Sequence, residues 1–118
     1  MNEVIQNIVT RRSIRSFKME RIKRADLEQI LQAAACAPSG MNRQTWQFTA
    51  ITNQEKIKEL AALIEKKLQR PNYNFYKPAA IVLTSNERSS KWGREDNACA
   101  MENMFLAAHA LGIGSVWI

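Results

Sequence analysis

Residues 11–17 read Arg11-Arg12-Ser13-Ile14-Arg15-Ser16-Phe17, and residues 37–48 read Ala37-Pro38-Ser39-Gly40-Met41-Asn42-Arg43-Gln44-Thr45-Trp46-Gln47-Phe48. If the first segment is extended, its side chains alternate and Arg11, Ser13 and Arg15 share a face. Two guanidinium forks and a hydroxyl on one face suit a phosphate dianion, because Arg donates in pairs and keeps its charge. The segment lacks the glycine spacing of a P-loop or a Rossmann turn. The second segment is rich in turn formers. Its amides, Asn42 and Gln44, carry donors and acceptors together and can read the edge of a flat heterocycle. Gly40 lets the backbone come close to a ring. Taken alone, each segment has a plainer reading: a solvated basic stretch and a turn.

The flanking sequence places both segments between regular elements. Val4, Ile5, Ile8 and Val9 recur with helical period and predict a first helix that runs into Arg11. Leu27, Ile30, Leu31 and Ala34 predict a second helix from Ala25 to about Ala37, with Asp26 in its first turn and Pro38-Ser39-Gly40 as its stop. Trp46, Phe48 and Ala50 alternate with polar neighbours in a strand over Trp46–Thr52. Asn53 reads as the N-cap of a third helix carrying Ile57, Leu60, Ala61, Ile64 and Leu68 on one face. After a loop over 69–77, the unalternating run Ala79–Thr84 reads as a central buried strand. A polar loop over 86–95 leads to Asp96, read as the cap of a fourth helix. That helix turns Ala98, Met101, Met104, Phe105, Ala108 and Leu111 inward, and Gly112 sits at its C′ position. A last strand begins at Gly114. Helices interleaved with only three strands make a thin sheet, an incomplete α+β or α/β layer.

A chain of 118 residues, 46% hydrophobic and 24% charged, fits one ordered domain with its own core. No apolar run reaches the roughly 20 residues that span a bilayer, and the N-terminus lacks the residue order of a secretory signal. A soluble cytoplasmic chain without membrane contact is expected. One histidine and two distant cysteines supply no zinc site. Cys36, after three alanines, reads as a buried thiol, His109 as a core or boundary residue, Trp46 and Trp117 as core, and Trp92 as exposed. The net charge of +6 is uneven: residues 1–24 hold seven positive and two negative side chains, so +5 of it lies there. An anionic ligand would use such clustering, and so would nucleic acid. The stretch has only Phe17 as an aromatic and no recognised nucleic-acid module, so the anionic small ligand is preferred and nucleic-acid binding stands as the alternative.

Together, the segments Arg11–Phe17 and Ala37–Phe48 and the stretch Ala98–Ile118, ending Leu111-Gly112-Ile113-Gly114-Ser115-Val116-Trp117-Ile118, resemble in order and spacing the nitroreductase family of FMN-dependent oxidoreductases. The resemblance implies an α+β FMN-binding fold, with a mixed or antiparallel sheet flanked by helices. It implies a single domain over residues 1–118 that represents about the N-terminal two-thirds of the family's domain, ending inside a strand. It implies reduction of FMN by NADH or NADPH and two-electron reduction of a nitroaromatic, quinone or similar acceptor. It also implies a homodimer with a shared flavin site. By position, Arg11, Arg12, Ser13 and Arg15 fall where the family holds the FMN phosphate. Pro38, Ser39, Gly40, Asn42 and Gln44 fall where it lines the ring and ribityl chain. The cofactor carries the chemistry, so no acid–base residue is named. Thr45 departs from the family's Pro before Trp and predicts a less rigid loop. The family's later backbone contacts to the reactive edge of the flavin, and a later basic residue, have no counterpart within these residues. A flavin-binding or inactive product of the same fold is therefore the second alternative.

Overall fold

A computed structural model describes all 118 residues. Four helices, α1 (Glu3–Thr10), α2 (Arg24–Ala35), α3 (Gln54–Leu68) and α4 (Gly93–Ala110), accompany two strands, β1 (Trp46–Ile51) and β2 (Ile81–Asn86). The strands form an antiparallel pair running from Trp46↔Asn86 to Ile51↔Ile81. The architecture is α+β with an antiparallel sheet, as the family resemblance implies.

The helix ends follow local chemistry. The Asn2 side chain accepts from Ile5 N at 2.9 Å and starts α1, and Asn53 accepts from Lys56 N at 3.1 Å and starts α3. Gly112, at φ 76°, closes α4, and Ile113 N returns to the Ala108 carbonyl at 2.8 Å.

Two apolar clusters hold the layers. Ile30, Ala34 and Ala37 pack on Ala100, Met104 and Ala108, with Trp46, Phe48 and Val82 covering one side. The alanines let α2 and α4 approach closely. Ile57, Ala61 and Phe75 form the second cluster at the Ile51/Ile81 end of the sheet. An open cavity of about 860 Å³ runs beside β2 and the Met101–Leu111 face of α4. No helix is long and apolar enough to cross a membrane.

Several expectations are corrected. The third strand is a single parallel bridge, Ser13↔Ser115, made by Ile14 N donating to Ser115 O at 3.0 Å. Ala79–Thr84 is not a central strand: β2 starts at Ile81, runs to Asn86 and has one neighbour, so Leu83 stays exposed. The fourth helix begins one turn before Asp96, which is therefore inside the helix rather than its cap. Cys36 is exposed, because only the Ala34 side of α2 faces α4. Trp117 is 58% exposed. Trp92 is half-buried against the backbone of Gly40. Leu68, expected on the packed face of α3, is exposed at its last turn.

Candidate functional site

The basic segment leaves α1 at Arg11 and passes the C-terminal half of α4. The Arg11 guanidinium lies over the Phe105 ring, 5.6 Å from its centroid, and 3.9 Å from Glu102 Oε1. The Arg12 Nη1 group donates to the carbonyls of Val9 and Arg11 at 2.9 and 2.8 Å. Both arginines line a cavity of about 360 Å³, together with Thr10, His109 and the Gly112–Ser115 turn. No carboxylate lines it. The C-terminus of a helix carries partial negative charge, so any preference for an anion here comes from the guanidinium groups. Ser13 and Arg15 do not line this cavity. Ser13 forms the backbone bridge to Ser115, and Arg15 extends into solvent.

His109 is tied into the wall. The Thr10 hydroxyl donates to Gln6 O at 2.7 Å and so spends its one proton. Its 2.9 Å contact with His109 Nε2 therefore has the ring N–H donating, an assignment made from the hydrogen-bond network. Asn7 Nδ2 donates to Leu106 O at 2.8 Å. These polar ties fasten α1 to α4 while Val4, Ile5, Ile8 and Val9 stay exposed.

The amide-bearing loop lies at the other end of α4. Asn42 N donates to Ser39 O at 2.8 Å and Arg43 N to Gly40 O at 3.2 Å, closing a short 3-10 turn. Met41, Asn42 and Gln44 have φ of 52°, 55° and 52°. Left-handed backbone costs a residue with a side chain about 1–3 kcal/mol, least for Asn. The compensating contact comes from Asp96, which is 5% exposed. Its Oδ2 accepts from Ser39 Oγ at 2.6 Å and its Oδ1 from Gly40 N at 3.0 Å. Ser39 Oγ in turn accepts from Gln44 N at 3.0 Å. Thr45 donates to Asn86 Oδ1 at 2.6 Å, and Asn86 Nδ2 reaches Asn97 Oδ1 at 3.0 Å. The threonine thus gains an anchor that a proline could not make, which offsets its freer backbone.

The two segments predicted to share a ligand are not brought together within one chain. Asp96, which holds the loop, and Phe105–His109, which face the basic segment, lie 9 to 13 residues apart on α4, roughly 14–20 Å of helix rise. Neither the 360 Å³ nor the 860 Å³ cavity is lined by Pro38, Ser39, Gly40, Asn42 or Gln44. Asp96 was expected only as a helix cap and Trp92 only as an exposed side chain, and neither these two nor Asn86 and Thr10 stood among the expected site residues. For Asp96 a signal existed: it stands four residues before Ala100 and so on the buried Ala100–Met104–Ala108 stripe.

This sequence and this α+β fold match one class of known proteins. The profile of the Nitroreductase family matches residues 8–81 and 67–118. An Archaeoglobus fulgidus protein named as an NADH dehydrogenase/NAD(P)H nitroreductase is 38% identical over 100% of this chain and 68% of its own length. A Bacillus subtilis protein named FMN reductase [NAD(P)H] is 34% identical, over 98% of this chain and 53% of its own. The crystal structure of a Bacteroides fragilis nitroreductase with bound FMN superposes with a TM-score of 0.95 and 41% identity, covering 100% of this chain and 70% of that one. The chain belongs to the nitroreductase family, and it spans between about half and about two-thirds of the length of these two relatives.

Proposed function

We propose that the chain is a single-domain, FMN-dependent NAD(P)H oxidoreductase that reduces a nitroaromatic, quinone or similar organic acceptor by two electrons. Bound FMN would supply the hydride-accepting and two-electron-transfer chemistry, and the residues of the chain would bind and orient it. The observation that carries the reading is the arginine-lined, carboxylate-free pocket at the C-terminal end of α4, in a chain whose relatives are named for FMN and NAD(P)H. The donor set fits a phosphate dianion. Arg11 and Arg12 would hold it from the cavity wall, while Ser13 and Arg15, which flank the lining residue Ile14 but stand outside the cavity, would have to reach it from the rim; Arg15 has no ion-pair partner that would prevent this. Pro38, Ser39, Gly40, Asn42 and Gln44 would line the ring and ribityl chain, with Asn42 and Gln44 orienting the ring through their amides.

We further propose that the site is completed between two copies, the loop of one facing the basic segment of the other. The separation of the two segments along α4 supports this, as does the outward apolar stripe of α1. The test is purification followed by measurement of flavin absorbance, FMN affinity and NAD(P)H oxidation with a quinone or nitroaromatic acceptor. A yellow protein that oxidises NAD(P)H is expected. Replacing Arg11 and Arg15 together with Ala should weaken FMN binding by about 3 kcal/mol or more, since hydrogen bonds to charged groups are worth about 1.5–3 kcal/mol each. Unchanged flavin retention in that variant would refute the phosphate assignment, and a colourless wild-type protein that does not take up FMN would refute the function.

A further inference from the structure

We infer that Asp96 is the positioning residue for the amide loop: its carboxylate, acting through Ser39 and Gly40, holds Asn42 and Gln44 in the backbone conformation in which they would meet the flavin ring. The link to the ring rests on the proposed FMN site; the clamp itself is a property of the chain alone.

Three observations carry the inference. First, the carboxylate is buried, and no Lys, Arg or His forms an ion pair with it. A buried charge is kept only where hydrogen bonds or dipoles compensate it. Here both oxygens are directed at the loop, with Ser39 Oγ at 2.6 Å and Gly40 N at 3.0 Å, and the first turn of α4 supplies favourable dipole. Second, an ionised carboxylate can only accept. It therefore fixes the direction of the Ser39 hydroxyl proton and leaves the lone pairs of that oxygen for Gln44 N at 3.0 Å. A neutral amide at position 96 would bring its own donors and remove that directionality. Third, Met41, Asn42 and Gln44 all adopt positive φ between the two ends of this clamp. Residues with side chains stay there only when their surroundings over-determine them. The loop's own backbone bonds reach only as far as Arg43. Gln44, the last left-handed residue, is held through Ser39 and Asp96.

The test compares wild type, D96N and S39A with and without FMN. Without FMN, amide hydrogen exchange is read at Gly40 and Gln44, with Ala100 and Met104 as internal monitors of the α2–α4 core. D96N should speed exchange at both loop amides by about tenfold or more, with the core amides unchanged, because a charge-assisted bond becomes a neutral one. S39A, which changes no residue of α4, should do the same at Gln44. With FMN, D96N should weaken affinity about tenfold and shift the absorption band of bound flavin toward that of free FMN, a change that mere loss of stability would not produce. The double variant D96N/S39A should weaken affinity no more than the worse single variant, since both act through one chain of bonds. Loop exchange in D96N and S39A equal to that of wild type would overturn the clamp, whatever FMN does. Faster exchange with unaltered flavin affinity and spectrum would overturn the positioning role. Failure of the wild type to bind FMN would instead overturn the proposed function, and the clamp would still be decided by the exchange rates.

Discussion

Gly40 is required for space rather than for backbone freedom, and this yields a prediction whose sign can be reversed. Its φ lies outside the left-handed region, unlike that of Gly112. A Cβ added at Gly40 would lie 2.5 Å from Trp92 Cε3 and 2.7 Å from Cδ2. Carbon atoms attract best at about 3.5–4 Å, so the methyl would sit about 1 Å inside contact with a rigid ring. Overpacking of this kind costs about 1–3 kcal/mol. Against it, Gly→Ala at a compatible φ gains about 0.4–1 kcal/mol by restricting the unfolded chain. The net expectation for G40A is a loss of about 1–2 kcal/mol, or about 3–12 °C in Tm for a chain of this size. With the ring removed, the clash disappears and only the unfolded-state gain remains. In a W92A background the same G40A change should therefore be neutral or stabilising. Thermal and urea denaturation of the four proteins, followed by circular dichroism, gives the coupling directly. Equal cost of G40A in both backgrounds, within about 0.5 kcal/mol, would refute the idea that Trp92 dictates the glycine.

Three further outcomes are expected. Met104 is buried at the α2–α4 contact, so M104A should lower stability by about 2–5 kcal/mol in urea denaturation, and a loss below 1 would show that the helices are not held there. Cys36 and Cys99 are both exposed, so a chromogenic disulfide reagent should titrate two thiols per chain without denaturant, and a count of zero or one would contradict their placement. Ile8 lies on the outward stripe of α1, so sedimentation should show a dimer for wild type and a monomer for I8D with unchanged circular dichroism. A monomeric wild type at micromolar concentration would count against the shared site.

Much of the helical layer was legible because its signals are local. The 3.6-residue period carries Leu27 to Ala34 and Ile57 to Ile64, and caps such as Asn53 and Gly112 act within one turn. What failed depended on neighbours that no local pattern contains. The run Ala79–Thr84 looks doubly buried, yet burial needs a partner on each side, and β2 has one. Cys36 follows the buried Ala34, but two residues on a helix amount to about 200° of rotation and point it away from α4. At the site, the charged segment and the amides were conspicuous by residue type. Their separation along α4, the positive φ of Met41 and Gln44, and the ring behind Gly40 are long-range facts. The Asp96 clamp was half-visible, because its place on the stripe could be counted while its partner in a loop 57 residues away could not.

The location of that clamp also explains why the loop should be stiff in a domain with so small a core. Ala34 and Ala100 are fully buried between α2 and α4, and Asn103 Nδ2 donates to Ala33 O at 2.9 Å, so both depth and register of the helix pair are set beside the end of α2. The chain leaves α2 through Cys36 and Ala37, and Ala37 is itself part of this packing. Two residues later Ser39 meets Asp96, which stands one helical turn before Ala100 on the same face of α4. The start of the loop is therefore fixed from one side by apolar packing and from the other by a charged hydrogen bond, both emanating from a single helix. Because α4 also bears Phe105 and His109 beside the basic segment, any shift of α4 along its axis moves the amide loop and the arginine pocket together. The helix acts as a rigid spacer between the amide loop and the arginine pocket, a property that the proposed site shared between two copies requires of each.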